Sequence, residues 1–273
     1  MGTRSTGTGR GRRRAGAPAW SVAIAGAMPA AAGVARADTT WTPLDLASFV
    51  NGGGPLINGD TFPEGPQAFA CVPFELGDTA GGWAWYAWLA DGPNPRVLEV
   101  PAEIPGARSV HLLINTYWGT PEPGLARVEL VGTAGTVHEV PLIGGDDVRD
   151  YNDDAYTDTI NGVTTVEVWT NGLGQRLDKL RIEVPESLDG GSLDMIRVVD
   201  EGADGVQRLF VAGITVASGD APADLDGDGA VGFGDLLDVL QSWGPCDACP
   251  QDLDCDGAVA FGDVLVVLGS WSG

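Results

Sequence analysis

The chain has 273 residues, of which 44% are hydrophobic, and this length is enough for one large or two modest domains. Its formal net charge is −23, so the phosphates of a nucleic acid would be repelled and we expect no nucleic-acid partner. Such an excess of carboxylates suits a protein that uses them to bind hard cations.

The first 37 residues predict a secretory signal peptide. Six arginines and no acidic residue accompany an Ala-rich apolar stretch at 15–34, and Ala35-Arg36-Ala37 then offers a small-x-small cleavage site. Cleavage after Ala37 would leave nine basic and 38 acidic residues, a formal net charge of −29. The alternative is an uncleaved membrane anchor, against which Pro18 and Pro29 argue. No later segment has eighteen apolar residues in a row, so we expect a secreted or cell-surface-associated protein without a membrane span in the mature chain.

Residues 38–218 alternate short apolar runs with Gly, Pro and Asp. Alternation within these runs, as in Leu180-Arg181-Ile182-Glu183-Val184, is typical of strands with one buried and one wet face. The predicted strands are 69–76, 96–100, 109–117, 126–131, 136–143, 164–170, 176–184, 193–199 and 207–216. Nine strands at near-regular spacing without an intervening helix predict an antiparallel β-sandwich or jelly roll.

Parts of this region resemble the galactose-binding-like sandwiches attached to secreted bacterial hydrolases. The short motifs that carry the resemblance are Val72-Pro73-Phe74-Glu75, residues 110–114 with Trp118, residues 136–147, and Arg149-Asp150-Tyr151. The resemblance implies a tendency to bind carbohydrate.

Clustered aromatic residues are candidates for such binding. Exposed rings stack on sugar faces, but sandwiches also bury tryptophans in their cores. Trp83, Trp85 and Trp118 lie close to Gly-rich turns, and we therefore choose them as possible carbohydrate-binding residues.

An acidic run at 146–158 raises the question of an enzyme. Asp146, Asp147, Asp150, Asp153, Asp154 and Asp158 offer carboxylates of the kind that glycoside hydrolysis uses in pairs. A solvated turn or a third calcium site is the alternative. The two histidines, His111 and His138, lie in predicted strands, and neither a His-Glu-x-x-His motif nor a Gly-x-Ser-x-Gly elbow occurs. We therefore predict no catalytic residue, and if the chain is an enzyme we expect a hydrolase of O-glycosyl bonds.

A polar linker at 219–223 leads into a duplicated segment, residues 224–273. A period of 28 residues aligns 224–244 with 252–272, and fifteen of these 21 positions are identical. Each copy begins with a twelve-residue loop that has Asp at positions one, three, five and twelve and Gly at position six. This spacing is typical of a calcium loop, whose seventh position contributes a backbone carbonyl.

The two loops thus predict two Ca²⁺ ions, each with five protein ligands. The ligands are Asp224, Asp226, Asp228, the carbonyl of Ala230 and Asp235 in the first loop, and Asp252, Asp254, Asp256, the carbonyl of Ala258 and Asp263 in the second. The alternative is a pair of Asp/Gly-rich turns without an ion, but crowded carboxylates repel each other unless a cation is present. We also expect Val231 and Val259, at position eight, to pair the loops through a small strand contact.

Apolar residues at helical spacing follow each loop and predict two helices that pack on each other, a small all-α module. Neither loop has a credible helix before it, which distinguishes the arrangement from a paired helix-loop-helix calcium sensor. With its duplicated loop and Asp at position twelve, residues 222–273 resemble a type I dockerin domain.

The resemblance implies docking to a cohesin-like module on a scaffold or cell-surface protein, in polysaccharide breakdown. The family's partner-contacting positions ten and eleven correspond to Phe233 with Gly234 and Phe261 with Gly262. Val266, which replaces Asp238 on a polar helix face, is a further candidate contact. Core packing is the alternative for both phenylalanines. Because both copies carry the same pair, the near two-fold symmetry implies two possible docking orientations.

Four cysteines remain: Cys71, Cys246, Cys249 and Cys255. In an exported protein they predict disulfides, with three possible connectivities, and a zinc site is the less favoured alternative because no histidine lies nearby. Together these features predict a secreted, calcium-dependent docking protein that presents a sandwich directed at carbohydrate. A small dockerin-tethered polysaccharide hydrolase or lyase that uses Asp residues of the 146–158 loop is the alternative.

Overall fold

Fourteen strands, two α-helices and one short 3₁₀ turn make up the part of the chain that the computed structural model describes, residues 39–53, 62–152, 156–188, 190, 192–246 and 249–272. The predicted signal peptide lies outside these residues. The strands are β1 (Thr40–Pro43), β2 (Gly65–Phe69), β3 (Val72–Leu76), β4 (Trp85–Tyr86), β5 (Arg96–Ile104), β6 (Ala107–Trp118), β7 (Ala126–Gly132), β8 (Val137–Leu142), β9 (Thr165–Thr170), β10 (Arg176–Glu183), β11 (Leu193–Asp200), β12 (Gln207–Ser218), β13 (Gly244–Pro245) and β14 (Ala258–Val259). The helices are α1 (Phe233–Gln241) and α2 (Phe261–Gly269).

The large sheet has the strand order β1-β12-β6-β10-β9, with β4 paired to β12. Strands β6 and β12, each twelve residues long, form its centre, and every pairing between its strands is antiparallel. A second, four-stranded antiparallel sheet has the order β5-β11-β7-β8. The prediction of a mainly β fold with antiparallel sheets is therefore confirmed.

The main hydrophobic core draws its side chains from both sheets. Val110, Leu112 and Ile114 of β6 belong to the same buried cluster as Leu98 of β5 and Ile196 of β11. Since successive residues of a strand point to opposite faces, Ser109, His111 and Leu113 of β6 lie on the other side of the large sheet. We call that side the outer face.

Two parts of the chain cover the outer face: the β2–β3 hairpin and the C-terminal module. The hairpin β2–β3 covers part of it, and Phe74 packs there with Leu113 and Phe210 in a second buried cluster. The C-terminal module, which comprises residues 222–246 and 249–272, lies beside this hairpin. A cavity of about 370 Å³ separates the module's second repeat from the sheet.

The C-terminal module contains α1 and α2 after the two acidic loops, as expected, but it is not purely helical. Strands β13 and β14 pair with each other, so the all-α description is incomplete. Val231, Val239, Val259 and Val267 are almost fully buried in a small core of the module. None of the helices in the described ranges has both the length and the apolar character needed to cross a membrane.

Residues 219–223 do not form a free linker. The backbone oxygen of Asp220 accepts a hydrogen bond from Thr39 Oγ1 at 2.8 Å, and that of Gly219 accepts one from Arg108 Nε at 2.9 Å. Ala223 is buried in the small core of the module. The sandwich-like sheets and the C-terminal module accordingly belong to one compact unit.

Candidate metal centres

The carboxylate at position twelve organises each acidic loop. In the first loop, Asp235 Oδ1 accepts hydrogen bonds from the backbone N–H groups of Leu225 and Asp226 at 2.5 and 3.1 Å. Its Oδ2 accepts one from Gly232 N at 2.7 Å, at the residue that precedes α1. A carboxylate in the first turn of a helix that bonds back to the preceding N–H is half of a capping box. Asp235 thus ties the start of the loop to the start of the helix.

The second loop repeats this arrangement. Asp263 Oδ1 accepts from Leu253 N and Asp254 N at 2.6 and 3.3 Å, and its Oδ2 accepts from Ala260 N at 2.7 Å. The position-one carboxylates fold inward in the same way, since Asp224 accepts from two backbone N–H groups of its loop and Asp252 from two of its own. The two loops therefore share the hydrogen bonds of their position-twelve carboxylates, as their sequence similarity predicts.

Carboxylate oxygens converge in both loops. Ligand atoms of Asp224, Asp226 and Asp235 lie within 4.8 Å of one another, and so do those of Asp252, Asp254 and Asp256. Asp235 is 1% exposed and Asp263 is fully buried. Within the described residues, no salt bridge joins a lysine or arginine to any of the eight loop aspartates. Among the described residues, the carboxylates of each loop are therefore crowded together without an ion pair to a lysine or arginine.

This crowding perturbs the acidity of the central carboxyl group in each loop. Burial and the charges of Asp263, Asp256 and Asp252 raise the pKa of Asp254 to about 6, although a hydrogen bond from the backbone of Asp256 opposes the shift. In the first loop a backbone hydrogen bond from Asp228 acts to lower the pKa of Asp226, but burial and neighbouring carboxylates raise it on balance. A divalent cation would relieve this repulsion.

The donor set fits a hard cation that prefers oxygen ligands. All the side-chain donors are carboxylates, and the buried position-twelve aspartates lack a cationic partner among the residues described. The structure brings together three of the predicted carboxylate ligands in each loop, and Asp228 and Asp263 lie outside these groups. The converging carboxylates would hold a calcium ion, while backbone hydrogen bonds keep Asp235 and Asp263 in place. A bound ion would supply positive charge that holds the loop and helix together.

The predicted partner-binding residues fall into three environments. Phe233 and Phe261 are 65% and 64% exposed, so the alternative of core packing under the helix is wrong for both. Gly234 and Gly262 have an internal reason to be glycine, because a Cβ atom there would overlap the carboxylate of Asp226 or Asp254. Val266 is half-buried and lines the cavity beside the sheet rather than a fully exposed surface.

Val231 and Val259 were expected to pair with each other, and among the described residues that ladder does not form. Val231 instead exchanges hydrogen bonds with Ser272, through Val231 N to Ser272 Oγ at 2.9 Å and Ser272 N to Val231 O at 3.0 Å. Val259 pairs with Gly244, the residue that corresponds to Ser272 in the first repeat. Each loop is thus supported by the segment that follows the other repeat's helix.

The tryptophans chosen as carbohydrate-binding residues are mostly internal. Trp83 is fully buried and Trp85 is 4% exposed, so the prediction that they face a ligand is wrong. They lie inside because both faces of the large sheet carry aromatic or aliphatic layers. Trp118 is half-buried, and Trp88, which the sequence reasoning did not select, is 36% exposed. Both rings flank Tyr117, with centroid distances of 5.8 Å for Trp88 and 6.2 Å for Trp118.

The acids of the 146–158 run are used in local structure where they are described. Asp147 Oδ2 accepts from Ile143 N at 2.9 Å, Asp150 Oδ1 accepts from Asn152 N at 2.7 Å, and Asp158 forms an ion pair with Arg176. Burial raises the pKa of Asp147, and the charge of Asp146 adds to this shift against the bond from Ile143. Asp153 and Asp154 lie outside the described residues. Of the two histidines, His111 is buried on the outer face and burial lowers its pKa well below the usual value.

All four cysteines form disulfides, which confirms that prediction and settles the connectivity. Cys71 pairs with Cys255, and Cys246 pairs with Cys249. Cys71 lies in the turn between β2 and β3, while Cys255 occupies position four of the second loop. The first disulfide therefore joins the hairpin on the large sheet to the C-terminal module.

Comparison of the chain with family models and with curated proteins gave no match.

Proposed function

We propose that the chain is a secreted, calcium-dependent docking protein whose C-terminal module acts as a dockerin toward a cohesin-like protein. The observation that carries the proposal is the pair of nearly identical loops, in each of which three carboxylates converge and the position-twelve carboxylate is buried without a cationic partner among the described residues. Two Ca²⁺ ions would neutralise the loops and hold α1 and α2 in place. The two disulfides agree with an oxidising, extracellular location.

Apolar side chains on the two helices support a docking role. Phe233, Leu240 and Trp243 of the first repeat are 65%, 48% and 54% exposed, and Phe261 and Leu268 of the second are 64% and 49% exposed. Large apolar residues gathered on a small module are typical of a protein–protein interface. The sandwich-like sheets would be what the module attaches to its partner.

Calcium titration of the chelator-treated full chain by isothermal titration calorimetry tests the metal proposal. We expect about two ions per chain. Asp224→Ala should remove the first ion and Asp252→Ala the second, because each deletes a position-one ligand. Asp194→Ala, at an exposed position of β11, changes the charge equally and should leave both ions bound. A chain that binds no calcium, or an equal loss in all three variants, would contradict the proposal.

The docking proposal is tested by surface plasmon resonance against an array of recombinant cohesin modules. We expect the full chain to bind at least one of them in calcium and to dissociate in EDTA, which leaves disulfides intact. Binding that persists undiminished in EDTA, or no binding to any member of a broad array, would argue against a dockerin.

A carbohydrate-directed role for the sheets is a second proposal, and it is supported by the partly exposed rings of Trp88 and Trp118 on either side of Tyr117. Flat rings that are partly exposed can stack on sugar faces. Affinity electrophoresis in gels that contain soluble polysaccharides should show retention that Trp88→Ala and Trp118→Ala reduce. Val137→Ala, which truncates a side chain 44% exposed on β8, is the matched control, and equal mobility of all variants in every gel would refute this role.

A further inference from the structure

The two repeats of the C-terminal module differ where the second one meets the large sheet. Six of the 21 aligned positions differ, and three of them lie at this contact. Cys255 replaces Gly227, Val266 replaces Asp238, and Gly269 replaces Gln241. Each replacement has a local explanation in the contact with the sheet.

Cys255 provides a covalent link. Its disulfide partner, Cys71, lies in the turn between β2 and β3, and the two Cα atoms are 5.4 Å apart. Gly227 occupies the same position of the first loop, so the first repeat has no equivalent link. The second loop is therefore fixed to the hairpin that covers the outer face of the sheet.

Val266 and Gly269 suit the side of α2 that faces the sheet. Val266 lines the cavity, where an aspartate like Asp238 would place a further carboxylate beside Asp254. A Cβ atom at Gly269 would lie in van der Waals contact with Arg181 Nη1 at 3.9 Å and with Val163 at 4.0 Å, so the C-terminal end of α2 lies beside these two residues. Arg181 Nη2 also donates a hydrogen bond to Ser270 Oγ.

The corresponding side of α1 is open among the described residues. Leu237 is 39% exposed and Gln241 is exposed, whereas Leu265, the counterpart of Leu237, is half-buried and lines the cavity. The sheet therefore covers the Leu265 and Val266 side of α2 and leaves the Leu237 side of α1 free. The rest of the two helices does not differ in this way, because Phe261 and Leu268 are as exposed as Phe233 and Leu240.

We infer that the repeats divide the work: the second attaches the module to this chain's own sheet, and only the first presents a complete receptor-binding face, whose partner is a protein surface with a basic rim. This inference rests on the proposed docking function. It replaces the two orientations implied by the sequence symmetry with a single one, because the second orientation would require a surface that the sheet already covers.

The covered repeat indicates the chemistry of the receptor. The sheet presents Lys179, whose charge acts on Asp254, and Arg181, which binds Ser270, next to the aliphatic Val163. The equivalent groups of the first repeat are Asp226 and Ser242. No lysine or arginine follows Arg208 in the sequence, so the module has no cationic side chain to oppose its aspartates. A complementary partner is a protein face with aliphatic residues flanked by lysines or arginines.

A matched pair of substitutions tests this division in the full chain with calcium present. Leu237→Arg should weaken binding to the cohesin module that the wild-type chain prefers by about tenfold or more, since it places a cation on the docking face. Leu265→Arg should leave that affinity within about threefold, because α2 faces the sheet. A larger loss from Leu265→Arg than from Leu237→Arg would overturn the inference while leaving calcium-dependent docking intact.

Release of the second repeat provides an independent check should Leu265→Arg fail to fold. In the Cys71→Ser/Cys255→Ser chain the second repeat can leave the sheet, so binding lost in Leu237→Arg should partly return when the three changes are combined. If the combined variant stays as weak as Leu237→Arg, the covalent attachment does not limit the orientation and the inference is wrong.

Carbene footprinting with mass spectrometry needs no receptor. In the wild-type chain with calcium, Leu237 should be labelled more strongly than Leu265, and labelling of Leu265 should rise in the Cys71→Ser/Cys255→Ser variant. Equal labelling of the two leucines in the wild-type chain would refute the division of roles, whether or not the chain binds a cohesin module. The expected labelling without binding to any cohesin module would instead refute the proposed receptor and keep the attachment.

Discussion

Arg149 donates hydrogen bonds from Nε and Nη2 to both carboxylate oxygens of Asp178, at 2.8 and 2.7 Å, and Asp178 is fully buried in β10. Asn115 Nδ2 adds a third bond to Asp178 at 2.7 Å. Burial raises the pKa of Asp178, while the guanidinium of Arg149 acts to lower it. The pair therefore joins the acidic run to β10 of the large sheet, and Asn115 extends the contact to β6.

Arg149→Met should lower the free energy of unfolding by about 3–5 kcal/mol, since it leaves a buried carboxylate without its partner. Urea denaturation followed by tryptophan fluorescence measures the change. Arg197→Met breaks a half-exposed pair with Glu99 and should cost less than about 1 kcal/mol. Similar losses in the two variants would show that Asp178 does not depend on Arg149.

Lys179 gives the fold a predictable response to alkaline pH. Burial lowers its pKa from 10.5 to about 8 in the folded chain, and the charge of Arg181 adds to the shift, against the opposing charge of Asp254. Between about pH 8 and 10.5 the unfolded chain binds more protons than the folded chain, so this residue's contribution to stability increases as the pH rises. Relative to Lys179→Met, the wild-type chain should gain stability from pH 7.5 to 10.5 in calcium. A constant difference between their thermal midpoints across this range would contradict the prediction.

Gly234→Ala should weaken calcium binding by the first loop about tenfold or more, because the new methyl group would overlap the Asp226 carboxylate and displace a ligand. Gly232→Ala is the control, since a Cβ atom there meets open space and the second repeat already has alanine at this position. Calorimetric titration of the two variants compares them directly. Retention of both sites at wild-type affinity in Gly234→Ala would refute the packing argument.

Trp83→Ala should destabilise the chain by about 3–5 kcal/mol, since the ring is fully buried against Phe62 and Phe210. Trp88→Ala, which truncates a ring 36% exposed, should cost far less. Guanidinium denaturation of the two variants tests the assignment of Trp83 to the core. An unchanged unfolding midpoint for Trp83→Ala would contradict it.

Most strands of the two sheets could be predicted because they are short apolar runs between turn residues, several of which alternate polar and apolar residues. The prediction of one strand at 69–76 was wrong, since the chain turns at Ala70 and Cys71 to form the β2–β3 hairpin. Both turn residues have positive φ angles, 46° and 61°, without the glycine or asparagine that normally signals such a turn. The short strands β1 and β4 lack enough residues to show a period.

The acidic loops were predictable because the spacing of their aspartates determines which carboxylates can meet. The exposure of aromatic rings was not predictable. Trp83 and Trp88 lie five residues apart in the same aromatic stretch, yet Trp83 is fully buried and Trp88 is 36% exposed. The pairing of Cys71 with Cys255 depends on the path of 184 intervening residues and could not be read from the sequence. The difference between the two repeats also depends on residues distant in sequence, because it comes from the sheet that lies beside the second repeat.

The bond between Cys71 and Cys255 also makes a closed ring of most of the polypeptide. Since it spans 184 residues, a protease that cuts once anywhere between them leaves two fragments that still travel together until a reductant is added. Such a nicked chain would keep its sheets attached to α1 and α2. Ring closure of this length also removes much of the freedom of the unfolded chain, worth about 5 kcal/mol in a loop-entropy estimate.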